Sequence, residues 1–183
     1  MITRRIILAG LAAGALAPVV QARAHTLYPQ WVAYRRKHLL IGCHRKDPET
    51  FRLAEALADG INHALPKAKA RVARAPHPER LASLIGTDQM EIAVLPVEEA
   101  ILMRDGAGAF AAYGKLALTR IAGFDRHVLV ADAGFPQRHA WMVSAAVEES
   151  GLAQQPSGPS PLTDHPGVIA RRNGTTLAEL DAD

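Results

Sequence analysis

Residues 39–96 decide the fold. They open with the apolar run Leu39-Leu40-Ile41-Gly42-Cys43, followed by Asp47-Pro48-Glu49-Thr50 and an amphipathic segment reaching Leu65. A second extended run, Ala70-Arg71-Val72-Ala73-Arg74, leads into a shorter helical pattern from Pro78 to Ile85. A third, Glu91-Ile92-Ala93-Val94-Leu95, ends at Pro96, where another helical pattern begins. Strands alternating with helices at this spacing predict a parallel β-α-β-α-β sheet, and hence an α/β fold. Ligands of such sheets sit beyond the carboxyl ends of the strands, near helix N-termini. That edge is where a site is expected.

Local chemistry supports the pattern. Asp47 is a good N-cap and Pro48 suits the first helical position. Phe51, Ala54, Leu57, Ala58, Ile61 and Leu65 then fall on one stripe that would lie on the sheet, and Pro66 ends the helix. Pro78, Pro96 and Pro136 mark further helix starts. Asp105-Gly106-Ala107-Gly108-Ala109 breaks the helix that follows Pro96. Residues 116–121 and 127–131 read as strands flanking Gly123-Phe124-Asp125-Arg126, which predicts a hairpin. A closing helix runs from Pro136 to Glu149 and carries Trp141, which with Phe51 is assigned to the core.

The ends of the chain differ in composition. Residues 1–24 carry Arg4, Arg5 and Arg23 with no acid, an apolar body from Ile6 to Val20, and Ala22-Arg23-Ala24 as a small-x-small cleavage site. This reads as an export signal, with Thr3-Arg4-Arg5-Ile6-Ile7-Leu8 similar to a twin-arginine motif, and it places the mature protein in the periplasm. The apolar run is short for a membrane span, which needs about 20 apolar residues. The formal charge of +3 belongs to the leader, so the rest is neutral. With 5% aromatic residues and no long basic run, nucleic-acid binding is not expected. Residues 25–153 are assigned to one α/β lobe. Residues 154–183 are assigned to a Pro/Ser/Gly-rich linker and a tail, in which His165 caps or docks.

The strings Ile41-Gly42, the helix of residues 49–65, Pro78-Glu79-Arg80-Leu81-Ala82-Ser83-Leu84, Met90-Glu91-Ile92-Ala93-Val94-Leu95 and His165-Pro166-Gly167-Val168 carry a family resemblance. The chain resembles the TAXI-type solute-binding subunits of TRAP transporters, of the two-lobed periplasmic-binding-protein class. The resemblance implies a single lobe of that class, with the other lobe absent. It further implies non-catalytic binding of a small anionic solute and partnership with TRAP-type membrane subunits. The departures are local. Cys43-His44 replaces the family's small hydroxyl residues in the first loop, Arg80 an asparagine, and Pro96-Val97-Glu98 a glutamine and an aspartate.

The candidate ligand-binding residues are Gly42, Cys43, His44, Arg45, Arg80 and Glu98. Arg45 and Lys46 would draw an anion toward the helix start at Asp47. Two other readings stand beside solute binding. One is a periplasmic accessory module that docks a protein partner or dimerises through an exposed sheet edge. The other is a metal or redox centre at Cys43 and His44, where nearby basic groups and a helix N-terminus would lower the thiol pKa. A single cysteine allows no internal disulfide. No Walker loop, GxSxG, CxxCH or metal-spaced histidine pair occurs, so neither a cofactor nor catalysis is expected.

Overall fold

The computed structural model describes residue 34, residues 37–152 and residues 161–180. The export-signal reading and the linker reading of residues 154–160 fall outside the described residues. The chain order is β1 (Leu40–His44), α1 (Pro48–Ala64), β2 (Arg71–Ala75), α2 (Pro78–Ile85), β3 (Ile92–Pro96) and α3 (Val97–Asp105). There follow β4 (Leu118–Phe124), β5 (His127–Asp132), α4 (Gln137–Glu149), α5 (Pro166–Arg172) and the single turn α6 (Leu177–Leu180). The sheet has five strands in the order β2-β1-β3-β5-β4. β1 runs parallel to both β2 and β3, as expected. β5 lies antiparallel to β3 and to β4. The result is a single α/β lobe: a β-α-β-α-β half extended by a hairpin and closed by a helix.

Alternation along each strand feeds two separate cores. Ile41, Cys43, Ile92, Val94 and Leu129 face α1 and α4, where they meet Leu57, Ile61, Val143 and Val147. Ala93, Leu95, Val128 and Val130 face the other way, onto Leu81, Ile85 and Met103 of α2 and α3. Each fully buried Leu, Ile or Val contributes about 1.5–3 kcal/mol relative to exposure. Gly42 is tightly packed: a Cβ there would fall 2.2 Å from Met90 Sδ, in the loop between α2 and β3, and 3.0 Å from Leu81 Cδ2 of α2. A side chain at position 42 would have to displace the Met90 side chain and press on Leu81 and Ala93.

α1 begins as its sequence dictates. Asp47 Oδ1 accepts from the Glu49 N–H at 2.9 Å, and Pro48 occupies the first turn. Thr50 Oγ1 donates to Asp47 O at 2.7 Å and lies 3.2 Å from His44 O, tying the helix start to the end of β1. The hairpin turn is tighter than expected. β4 runs through Gly123 and Phe124, and Asp125 takes a left-handed φ of 48° in the two-residue turn. Pro96 and Pro136 stand one residue earlier than expected, as N-caps and not as first helical residues.

The core assignments of Phe51 and Trp141 are corrected, because both are half-buried. The Arg74 guanidinium lies 4.4 Å above the Phe51 ring, and Trp141 Nε1 donates to Thr175 O at 2.8 Å. The tail from residue 161 onward belongs to the lobe. Arg120 N–H donates to Thr163 O and His165 N–H to Arg120 O, both at 2.8 Å, so the tail covers the outer edge of β4. α5 then seats against α4 so closely that a Cβ on Gly167 would lie 2.1 Å from Gln137 O.

Candidate functional site

The carboxyl ends of β1 and β3 meet the amino end of β5, because β5 runs the opposite way and pairs His127 with Pro96. This brings His44, Asp47, Glu99 and His127 to one edge from four places in the sequence. His127 Nε2 lies 2.8 Å from Asp47 Oδ2 and donates to it. His44 is fully buried, with Nε2 2.9 Å from Glu99 Oε2. Those two atoms are within ion-pair distance but out of line, so neither completes a hydrogen bond, and His44 Nδ1 has no partner either. A buried polar group left unpaired costs about 1–3 kcal/mol.

Asp47 links the two pairs. Burial alone would raise its pKa, but the bonds from His127 and the Glu49 N–H, with the charges of His127 and His44, hold it below the usual carboxylate range. Asp47 thus stays ionised, orients His127 and caps α1 with its other oxygen. At the rim, Lys46 Nζ lies 4.0 Å from Glu79 Oε1, and His77 Nδ1 lies 2.9 Å from Glu79 Oε2. The backbone N–H of Glu79 itself, opposed by burial and aided by His77 and Lys46, lowers that carboxyl's pKa.

The expected residues separate. Gly42 is buried under Met90, Leu81 and Ala93 and presents no surface. Cys43 points to the opposite face, into the α1 core, and its thiol is pushed up to about 11 by burial, against a lowering charge from Arg74. This corrects the expectation of a lowered, reactive thiol beside His44: neighbours along a strand face opposite ways. Arg45 is exposed at the edge. Arg80 is exposed on α2, with Nη1 3.3 Å from Ser83 Oγ. Glu98 is exposed, and it is Glu99 that turns toward His44.

Sequence reasoning missed three members of this cluster. For Glu99 a signal existed, because it stands one helical turn before the buried Met103, whereas Glu98 precedes the exposed Leu102. His127 carried no signal until the strand order was known. Asp47 was read as a cap alone. Among the described residues, no three His, Cys, Asp or Glu side chains are placed to hold a metal ion. Also among the described residues, no helix is long and apolar enough to cross a membrane. A groove of about 380 Å³ between α1 and α4, lined by Asp59, Gly60, His63, Glu149 and Ser150, sits toward the other end of α1. It holds none of the expected residues. No protein-family model and no curated protein matches this chain.

Proposed function

We propose that this protein is an exported, periplasmic, non-catalytic binding lobe that takes a small solute bearing an anionic group at the carboxyl edge of its sheet. The observation that carries the reading is His44, fully buried with both ring nitrogens lacking an aligned partner. In this reading the solute's anionic group accepts from a ring N–H of His44, held by burial beside Glu99, while Asp47 holds His127 at the same edge. Arg45 and Lys46 at the rim raise the encounter rate with an anion. The sequence resemblance to TAXI-type subunits supports the same class of ligand, and TRAP-type membrane subunits are the partner proposed with it.

The test is a thermal-shift screen of the full chain against amino acids, dicarboxylates and other small organic acids. A ligand bound only by the folded state, at 100 times its Kd, adds about 2.7 kcal/mol, which for a domain of this size raises Tm by several degrees. At least one compound is expected to give a dose-dependent rise that disappears in His44→Leu. A rise of equal size in His44→Leu, or a flat response to every compound at millimolar concentration, overturns the reading.

A further inference from the structure

The two outer edges of the sheet are finished differently. Residues 163–165 hydrogen-bond to Arg120 and cover β4, and Asp164 pairs with the Arg120 side chain at 2.5 Å. β2, at the other end of the sheet, has β1 on one side and no strand on its outer side among the described residues. In a parallel pair, alternate residues turn both backbone groups toward the neighbour. Arg71 N–H donates to Leu39 O, and Ala75 O accepts from Arg45 N–H. With the register Ile41 to Val72 and Cys43 to Arg74, residues 71, 73 and 75 bond to β1, whereas 70, 72 and 74 face outward.

Ala70 is already satisfied. The Asn62 side chain donates to Ala70 O at 3.0 Å and accepts from Ala70 N–H at 2.6 Å, taking the place a neighbouring strand would fill. Among the described residues, that leaves the N–H and C=O of Val72 and Arg74 as an open template two residues long. The surroundings of this template carry one sign of charge. From Gly60 to Pro78 the sequence has no acidic residue, and Lys67, Lys69, Arg71 and Arg74 are all exposed. Charged side chains on an edge strand discourage edge-to-edge pairing of identical chains. Four of the same sign do more: they disfavour a second copy and favour a partner of opposite charge.

We propose that β2 docks an acidic, extended peptide segment of another protein by strand addition. The incoming backbone bonds Val72 and Arg74, and its carboxylates, on one face of the added strand, pair with Arg74 beside the half-buried Phe51 and Val72, while Arg71 on the opposite face of β2 adds to the positive field. Backbone bonds supply the affinity, and the basic side chains choose the sign of the partner. This surface lies on the outer strand and does not depend on the His44 edge.

A capped octapeptide of alternating glutamate and valine, fluorescently labelled, is titrated against the full chain. Saturable binding is expected for this peptide and none for its lysine-valine counterpart. Val72→Pro removes an N–H that donates to no group among the described residues. It is expected to weaken binding at least about tenfold, a loss of roughly 1.4 kcal/mol, with a modest fall in Tm from the lost Val72 packing. Arg71→Glu with Arg74→Glu abolishes binding. Should the proline variant be too unstable to judge, a glutamate-valine peptide N-methylated at alternate residues is titrated against the unsubstituted chain and is expected not to bind. Equal binding of the lysine peptide or of the methylated peptide, or full binding by a stable Val72→Pro, overturns the proposal. So does sedimentation showing that the chain dimerises through β2.

Discussion

His165 and His44 are both buried histidines at the ends of elements, and they are finished in opposite ways. His165 caps α5: its Nδ1 accepts from the Gly167 N–H at 3.1 Å, and its Nε2 donates to Phe135 O at 2.9 Å. Both ring nitrogens are used, which fixes the tautomer. His44 caps nothing, and neither of its nitrogens has an aligned partner. The first ring is cemented between the tail and the α4 approach. The second is held in place by burial alone beside a carboxylate that is 30% exposed. The difference separates a histidine fixed by its bonds from one whose ring nitrogens have no aligned partner among the described residues.

The strongest way to test the architectural side is Gly167→Ala. The added methyl meets the Gln137 carbonyl and the backbone of Trp141, which a side-chain rotation cannot relieve. Overpacking of this kind costs about 3 kcal/mol, at the upper end of its range, and for a chain of this length lowers Tm by about 6–12 °C. Next comes the paired comparison. His165→Ala leaves the buried Phe135 carbonyl without its donor and removes the cap, and is expected to cost about 2–3 kcal/mol. His44→Leu deletes two unpaired polar atoms while keeping the volume, and Glu99 can turn to water, so it is expected to cost under about 1 kcal/mol or to stabilise. Chemical denaturation of both variants decides. Equal losses would erase the contrast and make His44 another structural histidine.

Acid titration sharpens the same contrast. Burial lowers the pKa of His165, with the Phe135 bond opposing, so the folded state holds it neutral. Its contribution is present above the unfolded value near 6.5 and fades as pH falls from there through the folded value. Asp47 is also lowered, so its contribution is present above the ordinary carboxylate pKa and fades only at still lower pH. Tm measured against pH is therefore expected to fall below about pH 6.5 and again below about pH 4. His165→Ala should flatten the first decline. Asp47→Asn, which keeps a capping oxygen, should reduce the second, while Glu79 and other lowered carboxyls sustain the remainder. Asp47→Ala additionally loses the cap, for about 1 kcal/mol at neutral pH.

The fold was legible because its signals are local. Asp47-Pro48 and His77-Pro78 open helices where hydrophobic periodicity says they should, and the three parallel strands lie within a residue of their expected bounds. The site was only partly legible because it is assembled by topology. His127 reaches the edge through antiparallel pairing, and no spacing in the chain brings positions 47 and 127 together. The sign of helix phase decided between Glu98 and Glu99, and the one buried anchor that fixes it, Met103, lies a turn downstream. The tail is assigned a place outside the lobe because a Pro/Ser/Gly-rich run separates it, with His165 expected to cap or dock it; Leu162, His165 and Val168 are buried in the lobe's packing.

The smallest expected effect concerns the residue beside His44. Cys43 is fully buried, faces α1, and has a thiol raised to about 11, so at neutral pH it is neither ionised nor reachable. A disulfide reagent at pH 7.5 is expected to label it at the rate of global unfolding, with full reaction only in denaturant. Cys43→Ala removes one buried sulfur and should cost about 1 kcal/mol, at the low end for large-to-small core changes. It should leave unchanged any ligand-induced rise in Tm that His44→Leu abolishes. The two positions are adjacent in sequence and separated by the plane of the sheet, so a ligand response that follows Cys43 and ignores His44 would place the site on the wrong face of β1.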